Sequence, residues 1–148
     1  MDKIYIKNLK DLGLVLKSKP NDIAYDEILK SIQFNYKEIE HLCFWDADNY
    51  SKINVGSGLN YELVLICWEK NQQSTVHRHN CDEAFSYVLK GELTENVYQI
   101  SNGNERSLMH SLTLPQESVS SISNVGNKEH QFVNSYKGRT VSLHLYIK

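Results

Sequence analysis

From Tyr61 onward the chain breaks into short runs of β-branched and aromatic residues, and this cadence constrains the fold more than any other feature. The runs are Tyr61–Trp68, Ala84–Leu89, Leu93–Ile100, Ser107–Leu114, Val119–Ile122, Gln131–Val133 and Thr140–Ile147. Turn-forming residues punctuate the chain at Gly56-Ser57-Gly58, Lys90-Gly91-Glu92, Ser101-Asn102-Gly103-Asn104 and Gly126-Asn127. Short strands at such regular spacing predict an all-β sandwich, barrel or jelly roll. Before that point the period is helical, with Leu9, Leu12 and Leu16, then Ile28, Leu29 and Ile32, then Ile39 and Leu42. Pro20-Asn21-Asp22 separates the first two helices, and Asn21 or Asp22 is the expected cap of the second. The helices are too few to form a layer of their own, so they are expected on the outside or across one end of the β-structure.

Nothing in the chain suggests a linker or an internal repeat. The expected organisation is one domain over 1–148, with helices over 1–45 and a barrel over 46–148. A chain of 148 residues can bury a core without covalent staples. Its 41% hydrophobic and 23% charged content excludes a disordered polymer. The formal charge of −2 and the scattered Lys and Arg argue against a nucleic-acid partner. The apolar run Leu63–Trp68 is too short to span a bilayer. Met1–Lys7 lacks a signal core, so a cytoplasmic protein without a membrane partner is expected. Cys43, Cys67 and Cys81 make neither a disulfide framework nor a zinc CxxC pattern. Cys43 and Cys67 have apolar neighbours and read as small buried hydrophobes.

The chemistry concentrates in Val76-His77-Arg78-His79-Asn80-Cys81. Side chains alternate along an extended segment, so His77 and His79 share a face while Arg78 projects the other way. An HxH pair recurs by chance; its context here is Gly91 on a tight turn and His130 far downstream in His130-Gln131-Phe132-Val133-Asn134. His41 and His110 have no partner at useful spacing and read as structural or exposed.

The HxH, the later glycine and the His-x-x-x-Asn resemble the two metal-binding motifs of the cupins. The chain is similar in particular to the cysteine dioxygenase branch of the thiol dioxygenases. Cys67-Trp68, Leu89-Lys90-Gly91-Glu92-Leu93 and Ser142-Leu143-His144-Leu145-Tyr146 carry that likeness, which runs from about Tyr50 to Tyr146. The resemblance implies a cupin jelly-roll barrel in which His77, His79 and His130 hold one ferrous ion per chain. Three neutral imidazoles also suit other divalent first-row metals, so zinc or nickel could occupy the site in purified protein. The implied reaction adds both atoms of dioxygen to the sulfur of a small thiol, L-cysteine first, to give a sulfinic acid. Tyr146 would place its phenol near the reacting atoms, with His144 and Ser142 as a hydrogen-bond relay behind it. Tyr50, Lys52 and Trp68 would bind substrate. The expected partners are the thiol and dioxygen, and the expected assembly is a monomer or weak homodimer. The alternatives are a dioxygenase for 3-mercaptopropionate or another thiol acid, a non-catalytic metabolite-binding cupin, and another metal cupin reaction.

Three positions depart from the family pattern. The relatives' carboxylate-binding arginine is replaced by Lys52 in Tyr50-Ser51-Lys52, which keeps the charge and loses the two-point fork. Ala84 stands where many cupins carry a glutamate ligand and where some relatives carry a cysteine bonded to the tyrosine. Glu83 has the wrong parity to substitute as a ligand. Cys81 is three residues early for the cross-link and reads as a free thiol near the rim. The sequence ends at Lys148, just past the tyrosine strand, from which a comparatively open pocket is expected.

Overall fold

The computed structural model describes residues 4–123 and 127–148. Met1–Lys3 of the N-terminal reading, and Gly126 of the expected Gly126-Asn127 turn, lie outside the described residues. The helical period of the first forty residues becomes α1 (Leu9–Lys17), α2 (Tyr25–Lys30), α3 (Tyr36–Ile39) and a 3-10 turn at Glu40–Leu42. Asn8 caps α1 by accepting the Asp11 N–H at 2.8 Å. The cap expected for α2 is not found. Asn21 and Asp22 lie in a turn closed by Ile23 N–H to the Pro20 carbonyl, and α2 follows Ala24 without a side-chain cap. Asp26 and Glu27 in its first turn face the positive end of the helix dipole instead.

Eight strands follow: β1 (Ser51–Ser57), β2 (Tyr61–Trp68), β3 (Glu83–Lys90), β4 (Leu93–Ile100), β5 (Arg106–Leu114), β6 (Val119–Ser123), β7 (Lys128–Val133) and β8 (Thr140–Ile147). They form an antiparallel five-stranded sheet, β1-β2-β8-β3-β6, and a three-stranded sheet, β5-β4-β7. Seven were expected. The addition is β1, an edge strand rich in Ser, Lys and Asn whose alternation is broken by a bulge between Asn54 and Gly56. Gly56 and Ser57, read as a turn, are the end of that strand.

Strict alternation places the site. On β2, Tyr61, Leu63, Leu65 and Cys67 point outward to join Leu12, Leu16, Ile28 and Leu29 in one core, with Leu143 and Leu145 of β8. The helices therefore cover the outer face of the larger sheet. The other parity of the same strands, Val64, Ile66 and Trp68, meets Val88, Leu93 and Phe132 between the sheets. Glu62, Ser142, His144 and Tyr146 share this inward parity. Gly91 closes the β3–β4 turn at φ +79°, and a Cβ there would lie 2.7 Å from the Arg139 carbonyl oxygen. No helix among the described residues is long and apolar enough to cross a membrane.

Candidate metal centre

Between β2 and β3 the chain crosses to the smaller sheet. Asn134 anchors the start of this crossover: its amide nitrogen lies 3.2 Å from the Trp68 carbonyl and 3.0 Å from that of Glu69. Gln73 then bridges Val133, and His77 bridges His130 through two N–H to carbonyl bonds of 2.9 Å. The HxH thus lies on an extended segment outside the regular strands, seated against β7. Direct pairing puts the His77 and His130 rings 4.8 Å apart, and the pleat brings His79 to 4.6 and 4.7 Å from them. Donor nitrogens of all three lie within 4.8 Å of one another.

Hydrogen bonds set the ring tautomers. His77 donates Nδ1–H to the Thr75 carbonyl at 2.7 Å. His130 donates Nδ1–H to the Glu95 carboxylate at 2.8 Å, and the Ser120 hydroxyl donates to the other Glu95 oxygen. Both Nε2 lone pairs are thereby presented to the space between the rings. His130 Nε2 is buried, with no hydrogen-bond partner among the described residues. A buried polar atom without a partner is rare, and a cation between the rings would satisfy it. The His77 and His79 Nε2 atoms stand 3.2 Å apart. Two imidazole nitrogens about 2.1 Å from one ion, at roughly a right angle, would be about 3 Å apart. Burial, reinforced by the neighbouring His130 ring, lowers His79 to about 3; burial lowers His77 as well. Neutral imidazoles are what a divalent metal requires, so this donor set fits one.

His77 and His79 line a cavity of about 440 Å³ together with Tyr50, Lys52, Glu62, Trp68, His144 and Tyr146, and His130 is buried beside them. The Tyr146 ring is 4.7 Å from that of His79. Burial, with the charges of Cys81 and Glu62, raises the Tyr146 pKa, so the phenol keeps its proton. His144 lies 2.6 Å from the Ser142 hydroxyl through Nε2 and 3.1 Å from the Ser86 hydroxyl through Nδ1. Trp68 Nε1–H donates to Ser142 at 2.9 Å, and Tyr50 stacks on the Trp68 ring at 4.6 Å. The Ser142–His144 bond of the expected relay is present, but the relay does not extend to Tyr146. Both His144 nitrogens are engaged by serines, and its ring is 6.5 Å from Tyr146 with no hydrogen bond between them. Lys52 is exposed at the cavity and has no ion pair among the described residues.

Other expectations fall away from the centre. Arg78 bonds the Asn127 side chain at 3.2 Å, and His41 and His110 are exposed. Ala84 is buried opposite Tyr146 and offers no ligand atom. Cys81 is a free thiol near the outer side of His77 and His79, its pKa raised by burial. Cys67 is buried and Cys43 half-buried. Glu95, Ser86, Ser120 and Thr75 went unnoticed in the sequence. Glu95 did leave a signal: in Leu93-Thr94-Glu95-Asn96-Val97 it occupies the parity of the two buried residues, where an acid needs a partner.

Comparison with known proteins fits this geometry. The chain is 26% identical over 144 residues to cysteine dioxygenase type 1 of Danio rerio, covering 93% of this chain and 71% of that protein. It is 27% identical to cysteine dioxygenase type 1 of Rattus norvegicus, covering 80% of this chain and 61% of that protein, so it spans less than two thirds of the rat relative. A cupin superfamily protein from Desulfitobacterium hafniense DCB-2 superposes with a TM-score of 0.55 at 12% identity, covering 72% of this chain and 84% of that one, a likeness of fold. The model of the family described as cysteine dioxygenase type I matches residues 8–148. With that match over nearly the whole chain, and a cupin barrel around it, the chain belongs to the cysteine dioxygenase type I family of oxidoreductases.

Proposed function

We propose that the protein is an iron(II)-dependent thiol dioxygenase that converts a small thiol and dioxygen to a sulfinic acid, with L-cysteine the first substrate and 3-mercaptopropionate the next. The observation that carries this reading is the convergence of His77, His79 and His130 at a cavity, with the His130 Nε2 lone pair buried and unpartnered. A ferrous ion held by these imidazoles would supply the redox chemistry that adds both oxygen atoms to a thiol sulfur. The chain's own residues do the rest. Thr75 and Glu95 hold two imidazoles in the tautomer that offers Nε2. Tyr146, kept protonated by burial, presents a hydrogen-bond donor beside the triad. Ser142, His144, Ser86 and Trp68 form a bonded wall that cannot rotate freely, and Tyr50 packs against it. Lys52 carries an ammonium unclaimed by any acid among the described residues, suited to a substrate carboxylate.

The test is oxygen uptake by iron-loaded protein in air with a panel of small thiols, cysteine and 3-mercaptopropionate included. Consumption of one dioxygen per sulfinate formed is the expected result. A panel that leaves dioxygen untouched overturns the reading.

A further inference from the structure

The cavity carries a second charged group that the reaction leaves without a task, Glu62. It lies on β2 with the inward parity of Val64, Ile66 and Trp68, directly opposite Tyr146 on β8. Its charge reaches the reacting end of the cavity, since it contributes to holding the Tyr146 phenol protonated. Its own partners leave capacity to spare. Asn54 Nδ2 approaches one carboxylate oxygen at 3.4 Å, and the exposed Lys148 ammonium stands 3.9 Å from the other. A carboxylate has about four acceptor sites, and a surface ion pair this loose claims little of them. The β1 bulge fixes the arrangement: Gly56 N–H binds Asn54 Oδ1 at 3.1 Å, which turns the Asn54 amide nitrogen toward Glu62.

Lys52 faces the same cavity from β1, opposite Ile66 and four positions along β2 from Glu62. The pocket therefore presents one anion and one cation from neighbouring strands. A thiol acid without an amine meets only the Lys52 charge favourably and is repelled by Glu62. An aminothiol gives Glu62 a donor.

We infer that Glu62 is a specificity-determining residue that accepts a hydrogen bond from the amino group of the substrate, selecting aminothiols over thiols that carry a carboxylate alone. This rests on the thiol dioxygenase reading and names the substrate class within it. The inward face of β2 and the placement of Glu62 beside Tyr146 carry it.

The experiment compares 2-aminoethanethiol with 3-mercaptopropionate in wild type and Glu62→Gln. The first readout is kcat/KM for oxygen uptake by iron-loaded protein. The second is the shift in thermal unfolding of zinc-loaded protein under nitrogen, titrated with each thiol. A hydrogen bond to a charged group predicts that the aminothiol to mercaptopropionate ratio falls about tenfold in both. Glu62→Ala should lower it at least as far. A ratio within about twofold of wild type overturns the inference while leaving any oxidation intact. Discrimination in the melting shifts without oxygen uptake keeps the inference and sinks the dioxygenase reading. Failure of wild type to bind either thiol overturns the inference, and oxygen uptake with L-cysteine then decides the dioxygenase reading by itself.

Discussion

Glu95 is the residue whose removal most directly tests how the imidazoles are held. It is buried, binds His130 Nδ1 at 2.8 Å and receives the Ser120 hydroxyl on its other oxygen. Glu95→Gln keeps the shape and loses the charge that keeps Nδ1 protonated. Losing such an outer partner typically costs 10–100-fold in metal affinity. Zinc titration against a competing chelator should show a loss of about that size; unchanged affinity would mean that the carboxylate does not tune the ligand. At Tyr146, whose ring lies 4.7 Å from that of His79, Tyr146→Phe should reduce kcat for thiol oxidation by about a hundredfold, the low end for a lost proton donor. Metal content should stay unchanged, and wild-type turnover would exclude the phenol from the chemistry. His144 sets a pH dependence. Burial lowers it to about 3, against about 6.5 in an unfolded chain. Below pH 6.5 the unfolded chain takes up a proton that the folded chain refuses, so stability present above 6.5 is lost as pH falls toward 3. The loss is up to about 1.4 kcal/mol per pH unit for this one group. Denaturant midpoints of metal-free protein should therefore fall less steeply with acid in His144→Gln than in wild type. Parallel curves would show that His144 does not set this slope.

At the scale of elements, the β3–β4 hairpin determines whether Glu95 reaches His130, because β4 pairs with β7 in a register that sets Val97 opposite His130 and Glu95 opposite Phe132. Gly91 is the hinge of that hairpin. An alanine there combines a left-handed backbone with a contact of 2.7 Å to the Arg139 carbonyl, which belongs to backbone and cannot swing away. Gly91→Ala should destabilise by at least about 2 kcal/mol in equilibrium denaturation. A change below about 0.5 kcal/mol would show that the turn relaxes freely. The crossover from Trp68 to Glu83 is an element of another kind, with only isolated bridges to β7 yet carrying two of the three imidazoles. Its order comes from Asn134 and from the paired main chain of His77 and His130.

Across the molecule, the triad ties the crossover that leaves the five-stranded sheet to β7 of the three-stranded sheet. A metal bound there is a link between layers, and binding to the folded state alone stabilises it. At 100 times the dissociation constant the gain is about 2.7 kcal/mol. Zinc in that excess should raise the unfolding temperature, chelator should reverse the rise, and His130→Ala should abolish it. A rise that survives in His130→Ala would place the metal elsewhere.

Much of this was legible in the residues themselves. Turn residues and β-branched runs located seven of the eight strands, and period-3.6 leucines located the helices, since both signals are local properties of the chain. The HxH and the alternation along the last strand marked His77, His79, His144 and Tyr146, which line the cavity, because alternation assigns a face to each residue of a single strand. What that local pattern lacks is the register between strands. Register made Glu95 the partner of His130, set Ser86 against the second His144 nitrogen, and set Glu62 against the phenol. The bulged edge strand β1 escaped for the same reason: its polar residues are held by pairing with β2, not by their own propensity. The chain's own order of residues thus decided the type of fold and which side chains turn inward. Only the folded sheets decided which of those side chains meet, because contact across strands depends on pairing that no single segment encodes.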